Sequence, residues 1–169
     1  MSVVVKIWRI ATDTPDYTAD DQSGAGAKYT GGRWNRPGTP MLYCASSISL
    51  ACLETLVHLK LGELPLNRYL ICVEVPFSAW KAALQFSPTG PGVGWDAVPY
   101  GKISLDAGES WAGSKASLLY KVPSVVVPRE ANVLTNPLHP DASKLKFTKI
   151  ERWTYDTRLV IHEPVKKKK

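Results

Sequence analysis

Residues 3–10 are mostly apolar and dominated by β-branched side chains, with Lys6 and Arg9 as the polar positions, and this predicts a first strand. On that strand Val3, Val5, Ile7 and Arg9 share one face. Residues 11–32 carry Pro15, Gly24, Gly26, Gly31 and Gly32, which predicts a long polar loop of the kind that often holds function. A turn through Pro37, Gly38 and Pro40 leads into a short strand at 41–45. Helical spacing of apolar residues then runs over 48–61, with Ser46 or Ser47 as the cap. A mostly buried strand follows at 68–76, stopped by Pro76. Residues 87–101 are rich in Gly and Pro, and 104–114 predict a short helix. A strand stretch spans 117–127 and is broken at Pro123 and Ser124; residues 136–140 form a turn; strands near 147–153 and 158–162 complete the pattern. The implied class is α+β: one domain with a β-rich core and few helices.

Length and composition agree with this. A chain of 169 residues is the size of one domain, and 44% hydrophobic with 21% charged residues is an ordinary globular composition. No apolar run is long enough to span a membrane, and no signal-peptide pattern opens the chain, so the expected setting is cytoplasmic. Cys44, Cys52 and Cys72 are odd in number and lack C-x-x-C spacing, which suits a reducing compartment; Cys44 and Cys52 read as small core residues. Removing Lys166, Lys167, Lys168 and Lys169 from the formal charge of +6 leaves only +2, so the basic character belongs to a tail (164–169) expected to be disordered. That body charge argues against direct nucleic-acid binding.

Several familiar motifs fail. Gly24-x-Gly26 has Tyr29 where a dinucleotide fingerprint needs glycine, and no Gly-Lys-Ser/Thr loop exists. His58, His139 and His162 are scattered without metal-ligand spacing, so no metal site is expected. Ser78 and Lys81 match S-x-x-K, but its companion motifs are absent.

One constellation survives. With Leu50 at zero on a helical wheel of about 100° per residue, Val57 falls near 340°, Leu61 near 20° and Glu54 near 40°. Glu54 thus lies inside the apolar arc, and a buried carboxylate costs several kcal/mol unless paired and hydrogen-bonded. Arg33, preceded by Gly31 and Gly32, is the candidate partner, and Tyr43 lies on the strand leading to the Glu54 helix. Pattern alone leaves two readings open: an active site, or a structural Arg33–Glu54 ion pair beside a packed tyrosine.

The blocks Trp8-Arg9, Gly31-Gly32-Arg33-Trp34-Asn35, Leu42-Tyr43-x-Ala45, Ser49-Leu50-Ala51-x-Leu53-Glu54, Val122-Pro123-Ser124 and Asn136-Pro137-x-His139-Pro140-Asp141 resemble the RES domain, named for its Arg, Glu and Ser. The resemblance extends from about residue 6 to 160 and implies a single RES domain over 1–163. It implies an ADP-ribosyltransferase-like fold and a bacterial toxin of a toxin–antitoxin pair. Such a toxin consumes NAD⁺ as substrate, by hydrolysis, phosphorolysis or transfer of ADP-ribose, with no prosthetic group. The implied partner is an Xre-like helix-turn-helix antitoxin that blocks the site; a homodimer is also compatible. The resemblance places Arg33, Tyr43 and Glu54 in catalysis, and Arg9, Arg33, Tyr43 and Ser124 on the substrate. Alternatives are a mono-ADP-ribosyltransferase acting on a protein, a metal-free ribonuclease, and a binding module without catalysis.

Overall fold

In the computed structural model, residues 3–60 and 65–159 are described. The β-rich opening forms β1 (Val4–Thr12), and β1 sits inside a seven-stranded sheet between β2 (Leu42–Ala45) and β3 (Arg68–Pro76). The other strands are β4 (Leu84–Gln85), β5 (Leu119–Pro123), β6 (Ala131–Thr135) and β7 (Lys146–Arg152). Their order is β4-β5-β6-β2-β1-β3-β7, antiparallel throughout except between β4 and β5. Four helices accompany the sheet: α1 (Ala25–Thr30), α2 (Ile48–Leu56), α3 (Phe77–Lys81) and α4 (Lys102–Ser114). One sheet with few helices is the expected α+β class.

Both faces of the sheet are covered, which is why apolar residues occur on both sides of β1. Ile7 and Ala11 join Cys44, Ile71, Val73 and Val133 on one face. Ile10 joins Ala45, Leu50, Ala51 and Leu70 on the other, where α2 lies. A third cluster extends that second face under α4, with Trp34, Trp95, Trp111, Val122 and Leu134 at its centre. The register aligns Trp8 with Ala45 and Ala45 with Asn132, so these three positions share the α2 face.

Several sequence expectations change. The 11–32 loop begins only after Thr12 and contains α1, a helix without apolar periodicity that follows Gly24 in the left-handed region (φ 72°). The 48–61 helix ends at Leu56; Val57, placed in the apolar arc, is 57% exposed, because only Leu50 and Ala51 are buried on the sheet. Leu61 lies outside the described residues. The 117–127 stretch forms a strand only over Leu119–Pro123. β6, β4 and α3 had no counterpart in the pattern: each is too short to show a period. Beyond β7 the chain forms a short 3₁₀ turn (Thr157–Leu159) where a strand was expected. The end of that strand, His162 and the basic tail lie outside the described residues.

All three cysteines are free thiols, and burial pushes the Cys44 thiol up to about 11. His58 is exposed, and the Nδ1 of His139 accepts the backbone N–H of Asp141, closing the 136–141 turn.

Gly108 marks the tightest helix-to-loop approach. A Cβ there would stand 1.8 Å from the carbonyl oxygen of Trp34. Gly108→Ala is therefore expected to destabilise the protein by about 1–3 kcal/mol, as overpacking does. A thermal melt of the variant checks this, and an unchanged melting temperature would contradict the close packing.

Candidate active site

The Oγ of Ser47 accepts the Leu50 N–H (3.1 Å) and caps α2, selecting one of the two serines expected there. With Leu50 and Ala51 seated on the sheet, Glu54 comes one turn later against the ends of β5 and β6. Its Oε1 accepts the Ser124 hydroxyl (2.7 Å) and the Asn132 side-chain amide (2.5 Å). Ser124 is fully buried just past β5, and its Oγ accepts the backbone N–H groups of Val126 (3.0 Å) and Val127 (2.9 Å). Those two donors occupy its lone pairs and leave the hydroxyl proton for Glu54. Oε2 of Glu54 takes no donor among the described residues and is not sealed from solvent.

Arg33 stands in a turn that closes between Gly32 and Asn35 (N–H to O, 2.9 Å). Gly31, at φ 71° and ψ 179°, occupies a backbone region open essentially to glycine alone. Asn35 is buried, and its Nδ2 donates to the carbonyls of Ala27 (2.8 Å), Thr39 (2.9 Å) and Arg36 (3.2 Å). The Tyr43 hydroxyl completes this knot: it accepts the Trp34 N–H (3.0 Å) and donates to Asn35 Oδ1 (2.7 Å). Burial, the largest influence, raises the Tyr43 phenol well above its ordinary value, so it stays neutral and is no general base. Gly32 is required beside it, because a Cβ there would meet the Tyr43 oxygen at 2.7 Å.

The structure brings Glu54 and Ser124 into contact and places Tyr43 and Asn132 on the same sheet face. It does not form the Arg33–Glu54 ion pair. The Nη1 of Arg33 donates instead to the carbonyls of Trp95 and Ala97, both at 2.9 Å, and the guanidinium lies 5.8 Å from the Tyr100 ring centre. Burial lowers the basicity of Arg33; Glu54 is the leading charge acting against that, ahead of Asp96. The two side chains therefore share one electrostatic field without touching. Nε and Nη2 of Arg33 make no hydrogen bond among the described residues.

Arg9 stands apart. Alternation along β1 puts it with Ile7 and Ala11, opposite Cys44 and Ile71, on the face away from α2. Its Nε and Nη1 are buried there with no hydrogen-bond partner. The expectation that Arg9 lies beside the substrate is thus not met by the geometry around Glu54; the two-residue repeat of a strand is the reason.

Asn132 and the carbonyls of Trp95 and Ala97 were missing from the sequence-based set. Once β6 is recognised, an asparagine between Ala131 and Val133 stands out as a polar group on an inward face. Two hollows elsewhere, one lined by Trp80 and Lys121 and one by Ser23, Thr135 and Phe147, have no carboxylate in their walls. Among the described residues no group of three or more His, Cys, Asp or Glu side chains could hold a metal ion, and no helix is long and apolar enough to cross a membrane.

Residues 6–158 match the RES domain family. A protein of Sphingobium sp. (strain YBL2) named Prs ADP-ribosylating toxin is 52% identical over 158 residues, covering 94% of this chain and 98% of its own length. A protein of Pseudomonas putida (strain KT2440) named Toxin Res is 34% identical over 155 residues, covering 90% and 98%. Among solved structures, the crystal structure of the M. tuberculosis MbcT–MbcA toxin–antitoxin complex contains a chain with the same fold. The TM-score is 0.60 at 16% identity, covering 89% of this chain and 86% of that one.

Tyr43→Phe is expected to leave Asn35 Oδ1 and the Trp34 N–H without their partner, at a cost of about 1–3 kcal/mol. Because the folded phenol titrates above its unfolded value of 10, its contribution is intact below that pH and lost as pH rises beyond it. Melts of wild type and Tyr43→Phe between neutral and strongly alkaline pH check both statements: the wild-type advantage should shrink only above about pH 10.

Proposed function

The chain belongs to the RES domain family, and we propose that it is the toxin of a bacterial toxin–antitoxin pair that breaks the nicotinamide–ribose bond of NAD⁺. The observation that carries this reading is a carboxylate, Glu54, held at Oε1 by two neutral donors, with no donor on Oε2 among the described residues. Ordinary glycosidases need a second carboxyl group to protonate the leaving oxygen. Nicotinamide departs from a ring that is already cationic, so one anion that stabilises the oxocarbenium-like ribose suffices. Ser124 and Asn132 supply no opposing charge, and the negative field of Glu54 stays available to the developing cation.

Arg33 suits the diphosphate. Its Nε and Nη2 can present a fork to phosphate oxygens while Nη1 holds the loop carbonyls. In the hydrolytic or phosphorolytic variant of this function the acceptor is water or inorganic phosphate. The neutral Tyr43 offers its ring to the nicotinamide end of the substrate. The expected partner is a small helix-turn-helix antitoxin that covers Glu54 and Arg33, and the setting is the bacterial cytoplasm.

The second reading keeps the same bond cleavage and changes the acceptor to a protein side chain. The name of the Sphingobium relative, Prs ADP-ribosylating toxin, at 52% identity, favours it. Product analysis after incubation with NAD⁺, with and without phosphate and with a cell extract, separates these acceptors. RNA in a parallel incubation tests the nuclease alternative, and RNA loss with NAD⁺ intact would overturn the proposal.

Glu54→Gln is expected to lower nicotinamide release about 10²–10³-fold, the usual cost of removing a preorganised electrostatic group. The Gln carbonyl can still accept from Ser124 and Asn132, and no ion pair with Arg33 is broken, so the melting temperature should hold. Turnover per folded molecule close to wild type would remove Glu54 from the chemistry. Arg33→Lys keeps the charge but loses the fork, and KM for NAD⁺ should rise markedly.

A further inference from the structure

We propose that Asn132 is the positioning residue for Glu54: its amide fixes which carboxylate oxygen faces the substrate. The proposal rests on Glu54 being the residue that stabilises the ribosyl cation. A carboxylate bound by one donor can still swing about that contact or exchange its two oxygens. Two donors from different parts of the fold prevent this. Ser124 comes from the turn after β5, and Asn132 from the start of the inner strand β6; both reach Oε1. Asn132 is aligned with Ala45 on β2 and Val122 on β5, so its backbone is carried by two neighbouring strands. Both donors take Oε1, so Oε2 is left without a protein donor among the described residues.

The residue type matters as much as the contact. Lysine or arginine at 132 would also grip Oε1, but its charge would cancel the field that the cationic transition state needs. Aspartate has nearly the same shape but cannot donate when ionised, and it would set a second carboxylate against the first. A neutral amide holds the oxygen and leaves its charge intact.

The experiment compares wild type, Asn132→Ala and Asn132→Asp below the melting temperature of each. In steady-state NAD⁺ turnover, Asn132→Ala should lower kcat roughly 10- to 100-fold, the scale of a misplaced reacting group, with KM nearly unchanged. Asn132→Asp should be worse than Asn132→Ala despite its closer shape. A purely structural asparagine would move the melting temperature and leave kcat per folded molecule alone, and that result would overturn the proposal. So would a rise in KM at constant kcat, or Asn132→Asp outperforming Asn132→Ala. Nitrogen-15 spectra of the side-chain amides supply a readout independent of activity. One Asn132 Nδ2 proton should lie downfield in wild type and return to the ordinary position in Glu54→Ala. If wild type releases no nicotinamide, the proposed function fails, and the amide signal still decides whether Asn132 grips Glu54. An ordinary amide signal in wild type would overturn the positioning role itself.

Discussion

A carboxylate at the junction of a helix with a sheet has lost part of its water, and something in the protein has to replace it. At Glu54 the replacement is two neutral hydrogen-bond donors on one oxygen. That choice constrains the surrounding chain. The turn after β5 must aim the Ser124 hydroxyl, which it does by spending the N–H groups of Val126 and Val127 on the serine oxygen. β6 must lie between β2 and β5 so that Asn132 faces α2. α2 must rest on Ile10, Ala45 and Leu70 at the right height, which its Ser47 cap and the burial of Leu50 and Ala51 secure.

The other half of the site is assembled by a different device. Asn35 acts as a buried tie, donating to three carbonyls and accepting from Tyr43, and it shapes the turn that displays Arg33. Trp34 anchors the same turn in an aromatic cluster, with ring centres 4.9 Å from Phe86 and 5.9 Å from Trp95. The carbonyl of Trp95 then accepts from Arg33, so the segment that covers the cluster also holds the guanidinium. Core packing and site construction are one operation here. The cation and the anion are set by separate frameworks and act on each other through their fields without an ion pair.

Strand alternation has a consequence for Arg9. The residue sits next to Trp8 in sequence, yet Trp8 packs toward α2 and Arg9 toward Ile7 and Ala11. Its face was readable from the period of two, since Val5, Ile7 and Arg9 are one set. Which of the two faces would carry the site was not, because that depends on where α2 docks.

Local pattern was enough to read the α+β class, the strand at 68–76 to the residue, and the start of α2 with a serine cap, and it singled out Arg33, Tyr43 and Glu54 as candidates. These are local or pattern-borne: β-branched runs, caps, glycines before an arginine, a carboxylate in an apolar arc. What those side chains touch depends on how distant segments are brought together. The wheel placed Glu54 correctly toward the protein but could not supply its partners, which lie 70 and 78 residues away. In sequence, charge is the visible complement and points to Arg33, whereas the donors that reach the carboxylate are uncharged groups that carry no signature at a distance. β6, five residues long and weakly patterned, was invisible until β2 and β5 flanked it, and Asn132 was invisible with it. Hydrogen bonds between distant segments depend on strand order and register, and these are set by how the whole sheet buries its two faces.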